Sequence, residues 1–144
     1  MNTIKIGKRE IPLFYSTKEL IDIQREIGCT GFELKDKVFG LRQVDEDNPE
    51  SIVLDVVTDP ERMEKLGKLI MILGNAGLEE DGQEPDLTLK WVLRNIRPAM
   101  IAIYAVTVMA VIIQGNQMEQ KEEENSGPVD MILEEENAKK QPGN

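Results

Sequence analysis

The side chains able to do chemistry in this chain are few, and their spacing works against each chemistry they suggest. Acidic groups crowd Asp45-Glu46-Asp47 with Glu50, and again Glu79-Glu80-Asp81 with Glu84 and Asp86. A calcium-binding EF-hand loop needs oxygen ligands at fixed positions and a glycine at the sixth. Counting from Asp45, position five is Pro49, position six is Glu50 and position twelve is Val56. The motif fails, and the segment reads as a solvated turn. Glu79 and Glu80 are adjacent on a loop, which is not the facing pair that glycoside hydrolysis requires. Gly74-Asn75-Ala76-Gly77 lacks the Lys-Ser/Thr that completes a phosphate-binding loop, so it reads as a helix stop.

The chain has no histidine and one cysteine, Cys29. Zinc therefore lacks a ligand set, and no imidazole is present to activate a nucleophile. Cys29 precedes the expected N-cap Thr30, and a helix N-terminus lowers a thiol pKa. With no partner group, it reads as a half-buried packing residue. No catalytic, cofactor-binding or metal-binding residue is assigned, and the chain is not expected to be an enzyme.

The elements that remain are recognisable by their end signals. Thr3-Ile4-Lys5-Ile6, the turn Gly7-Lys8 and Glu10-Ile11-Pro12-Leu13 predict a β-hairpin, with Pro12 confining its strand to an edge. Ser16 and Glu19 form a capping box, Tyr15 and Leu20 a hydrophobic staple, and Gly28 a stop. At about 100° per residue, Leu20, Ile23 and Ile27 share one face of that helix. Thr30 with Glu33, Cys29 with Leu34, and then Gly40 repeat the pattern, which predicts a short helix over 31–39.

Residues 41–44 and 52–57 predict a second short hairpin around the acidic loop. Asp59-Pro60 opens a longer helix with a stripe of Met63, Leu66, Ile70 and Leu73, expected to end at Gly74-Asn75 and Gly77. Thr88 caps a short helix carrying Trp91, Val92 and Ile96, and Pro98 breaks the chain after it.

Pro98 to Ile113 is a run of sixteen residues without a charge, in a sequence that is 31% charged. A helix apolar on every side has to be covered. The run is shorter than the roughly 20 residues of a membrane span, so it reads as a central helix within a soluble domain, and no membrane is expected as a partner. Ala99, Ala102 and Ala110 make a flat strip that would admit a neighbouring helix closely. Met100, Ile103, Tyr104, Met109 and Ile113 on this helix are the candidate partner-binding residues. The fold expected is α+β and helix-dominated, with an N-terminal hairpin, a second short one, four to five helices and the apolar helix at the centre.

The 144 residues carry a net charge of −10, half of it in residues 116–144, which hold eight acidic and three basic side chains. Residues 1–115 are expected to form one globular domain, and 116–144 an acidic, disordered tail. Such a charge repels nucleic acid and anionic membrane surfaces. The opening MNTIKIGKRE lacks the apolar stretch of a signal peptide, which points to the cytoplasm.

In order and pattern, IKIGKREIPL, YSTKELIDIQREIGC and DPERMEKLGKLIMILGNAGLEEDGQEPDLTLKWVLRNIRPAM, followed by an apolar helix and a charged tail, resemble the tail assembly chaperones of siphovirus-type phages. These are the G-type proteins of Gram-positive phages and prophages. The resemblance covers most of residues 3–118. It implies a non-enzymatic protein of the bacterial host cytoplasm that binds the aggregation-prone tape measure protein. It also implies help to tail-tube assembly, with a frameshifted longer form reaching the tail-tube protein, and absence from the mature virion. No site residue is carried over from it. A second copy of the chain is a further expected partner. The alternative is an acidic regulatory or inhibitory binding protein of phage or prophage origin.

Overall fold

A computed structural model describes residues 2–117; of the expected tail, 116–144, residues 118–144 lie outside the described residues. The fold is α+β and helix-dominated, with two small antiparallel hairpins. Strands β1 (Thr3–Ile6) and β2 (Arg9–Pro12) pair with Ile4 opposite Ile11, and Gly7 makes the turn at φ 61°. The alternation works as expected: Ile4, Ile6 and Ile11 are buried, whereas Thr3, Lys5 and Glu10 are exposed.

Helix α1 (Thr17–Ile27) begins at Ser16 and stops at Gly28, which sits at φ 89°. The Glu19 carboxylate accepts from both the N–H and the hydroxyl of Ser16, and is itself buried. The segment after it departs from the expected regular helix. Gly31–Glu33 is a tight 3-10 turn and Lys35–Phe39 a wide π turn, closed by Gly40 in the left-handed conformation. The i→i+5 register of a π turn sets Phe39 over Leu34. That lets Leu34, Val38 and Phe39 all point inward, and all three are buried.

At the 3-10 turn, Glu33 accepts from the Thr30 N–H at 2.8 Å. This bond, with Lys37 beside it, holds the carboxyl below its ordinary pKa. A depressed carboxylate contributes stability above its unfolded pKa and loses it as pH falls through the folded value. Acidification below the ordinary glutamate range should therefore fray residues 30–33 before the core melts. Amide exchange at Thr30, followed across that range, would check it. Unchanged protection down to global unfolding would count against it.

The second hairpin is present but short, β3 (Leu41–Gln43) against β4 (Ile52–Leu54). Residues 55–57, expected as strand, form a 3-10 turn instead, which swings Val56 into the core. Asp55 faces back to accept twice from the Arg42 Nε–H at 3.0 Å.

Helix α2 runs from Pro60 to Glu80, past both expected stops at Gly74-Asn75 and Gly77. These glycines serve close approach. A Cβ on Gly77 would lie 1.9 Å from the Pro12 carbonyl oxygen, and one on Gly74 would meet Leu87 at 2.6 Å. With no side chain at 77, the strand exit lies on the helix backbone, and the Phe14 N–H donates to the Leu73 carbonyl at 3.1 Å. Asn75, read from sequence as a breaker, pins the following loop: its side chain exchanges two hydrogen bonds with the Leu87 backbone, at 2.9 and 3.2 Å.

Helix α3 (Leu89–Asn95) starts at Thr88, whose hydroxyl accepts from the Trp91 N–H. Arg97 is extended before Pro98, as expected. A 3-10 turn, Pro98–Met100, then leads into α4 (Ile101–Asn116), which ends one residue beyond the expected domain boundary.

The helix at the centre is α2. It packs against α1, α3, β2, the π turn at Lys35–Phe39 and the 3-10 turn at Asp55–Val57, and nine of its residues are buried. The apolar α4, expected at the centre, lies at the side of the molecule with six residues buried.

Candidate functional site

Because α4 is apolar all round, its sequence cannot choose an inner face; the neighbouring elements choose it. Tyr104, Ala105, Val108, Val111 and Ile112 turn inward onto the core. The remaining arc, about 160° wide at 100° per residue, runs from Met109, which packs against the core at the arc's edge, through Val106 and Ile103, both exposed, to the half-buried Thr107. Exposed helix faces are ordinarily charged. This one carries no charge, and its single hydroxyl is turned onto the helix's own backbone, Thr107 donating to the Ile103 carbonyl at 2.9 Å.

The five candidate binding residues divide. Ile103 is 55% exposed and Ile113 51%, with Met100 exposed beside the first turn. Met109 is half-buried at the edge of the arc. Tyr104 lies on the opposite side. It is buried, and its hydroxyl donates to the Lys5 carbonyl at 2.7 Å. That bond ties α4 to β1 and removes Tyr104 from the outward face. Tyr104→Phe should cost about 1 kcal/mol of stability, the usual net worth of one such bond. Chemical denaturation would check this, and an unchanged midpoint would show that the bond contributes nothing.

Two apolar grooves continue the surface. One lies between α4 and the second hairpin, lined by Leu41, Ile52, Val57, Ala102, Val106 and Met109. The other lies between the end of α4 and residues 31–39, where Phe32, Leu34, Phe39 and Ile113 meet Leu41 and Met109 again. Phe32 is 76% exposed, on the outer side of the tight turn. Sequence reasoning passed over Phe32, Val106, Ile52 and Val57. For Phe32 a signal existed: Cys29 and Leu34 already fill the inward positions of that turn, and both are buried.

The 3-10 turn and α4 form one continuous stretch, Pro98–Asn116, of 19 residues. By length and composition that is enough to cross a membrane, a measure that the core helix of a soluble protein also meets. Only a third of the stretch is buried. Its polar end is tied to the N-terminal part of the chain, Asn2 donating to Gln114 at 3.0 Å and Tyr15 to Asn116 at 3.3 Å.

The polar candidates gain nothing from the structure. Burial pushes the Cys29 thiol upward in pKa, with Glu33 adding to it, opposite to the activation that a helix N-terminus would give. Asp22, Glu26 and Glu79 border an open depression between α1 and α2 together with Lys18, which is ion-paired to Asp22 at 2.8 Å. Among the described residues, no group of three or more His, Cys, Asp or Glu side chains is placed to hold a metal ion. Compared with protein-family models, with curated proteins and with solved structures, the chain matches none.

Proposed function

We propose that this protein is a tail assembly chaperone of the siphovirus type, a non-enzymatic binder of the tape measure protein. In this reading it acts in the bacterial host cytoplasm, assists tail-tube assembly with the tail-tube protein as a second partner, and is absent from the mature virion. The proposal rests on the sequence resemblance over residues 3–118 and on one observation, the uncharged outward face of α4 with its two flanking grooves. An unassembled helical client exposes an apolar stripe, and a groove beside a bare helix is the kind of surface that receives one. Covering such a stripe keeps the client from aggregating, while the chaperone's own acidic surface keeps the complex in solution.

Co-expression should keep the cognate tape measure protein soluble and in complex. Because the contact is apolar, binding should persist at high salt, where exposed charge pairs are screened. Ile113→Asp should weaken it at least tenfold, since one buried aliphatic side chain contributes about 1.5 kcal/mol or more. Deleting residues 118–144 should weaken it less. A tape measure that stays insoluble, or a complex that moderate salt dissolves, would refute the proposal.

A further inference from the structure

Along the outward face of α4, Ile103, Val106, Ala110 and Ile113 follow one another at steps of three, four and three, and Ala99 lies four residues before them in the 3-10 turn that leads into the helix. That is the spacing of a coiled-coil seam, and all five residues are exposed. The positions flanking the seam, Met100, Ala102, Thr107 and Met109, carry no charge. We infer that two copies of this chain pair through α4, antiparallel about a two-fold axis at Val106.

The spacing of large and small residues sets the direction. Ile103 and Ala110 lie about 4.5 and 6 Å on either side of Val106, and Ala99 and Ile113 each about 10 Å away. Antiparallel pairing thus places each isoleucine opposite an alanine, with Val106 meeting its own copy. The layers are then equal in bulk, as close packing requires. Parallel pairing would set isoleucine on isoleucine and alanine on alanine, leaving gaps at the Ala99 and Ala110 layers. Antiparallel helices also oppose their end charges favourably.

Charge sets the partner. The chain carries −10, so copies repel wherever their acidic surfaces meet. The face of α4 is where two such copies approach with no like charges opposed. A basic partner would be drawn to the acidic surfaces instead. This pairing does not depend on the chaperone reading: a client on the same face would replace the second copy, and the dimer is tested without one.

The full chain, followed by sedimentation across a dilution series, should have twice the mass of one chain at high concentration. Val106→Glu should run as a monomer with its circular dichroism unchanged, because Val106 is already 55% exposed and tolerates charge in the single chain. Val106→Cys should oxidise to a linked pair, since the native Cys29 is buried. Ala99→Cys should not, because antiparallel copies hold those positions about 20 Å apart. A wild-type monomer at every concentration would overturn the inference, and so would a dimer that survives Val106→Glu. Linkage at Ala99→Cys as fast as at Val106→Cys would overturn the antiparallel arrangement. A monomer whose α4 face is protected from exchange only with a client present would assign the seam to the client. Protection that disappears on removing residues 118–144 would assign it to the chain's own tail.

Discussion

Gly77→Ala should be among the most damaging single substitutions in the chain, costing about 3 kcal/mol or more, in the upper range for overpacking. On helix propensity alone the change would help by about 1 kcal/mol, because alanine orders more readily in a helix than glycine. The contact decides the sign. The added carbon would fall 1.9 Å from the Pro12 carbonyl oxygen and 2.9 Å from the Leu13 nitrogen. These are backbone atoms, so no rotamer change can relieve the overlap. The hairpin exit must lift off α2, and the Phe14 to Leu73 hydrogen bond goes with it. Gly82→Ala is the control: nothing lies near an added Cβ there, and only the strain of φ 75° is felt. Thermal or denaturant unfolding compares the two. Gly77→Ala with stability equal to or above the parent would show that the close approach does not hold the fold.

Ala105→Asp should destabilise by several kcal/mol, because it places an unpaired carboxylate at a position with no solvent exposure. Ala110→Asp, five residues on, adds the same group to the outward face. At protein concentrations low enough to keep copies apart, it should leave the melting transition nearly where it was. The contrast tests which side of α4 faces inward. Equal losses at both positions would mean that the helix is enclosed all round.

Local signals in the sequence carried a good part of this fold. The Ser16–Glu19 box, the Thr30–Glu33 pair, Asp59-Pro60 and Thr88 each lie within a turn of the helix they start, so a short window contains the whole cause. Gly28 and Gly40 are stops for a local reason as well, since each adopts a positive φ. Gly74 and Gly77 are glycines for a distant reason: their partners are Leu87, Ile11 and Pro12. One letter serves both purposes, and only the tertiary contact separates them. The same limit hid the orientation of α4. An amphipathic helix declares its inner face, as α1 does with Ile23 inside and Lys18 and Arg25 outside. A helix without charge on any side does not, and it is the distant Lys5 carbonyl that draws the Tyr104 hydroxyl inward.

That last contact joins residues 99 positions apart, and the Asn2 to Gln114 bond joins residues 112 apart. Its consequence is one of timing. A ribosome has to translate Tyr104 before β1 can receive it, so the first hairpin waits through most of synthesis without its α4 neighbour. Helices α1 and α2, joined by nearer contacts, can collapse earlier. Until α4 docks, both its inner face and the apolar residues it covers are open to wrong associations, as in other late-closing chains. Slowing translation just before codon 98 should therefore raise the demand for general chaperones more than slowing it within the first forty codons.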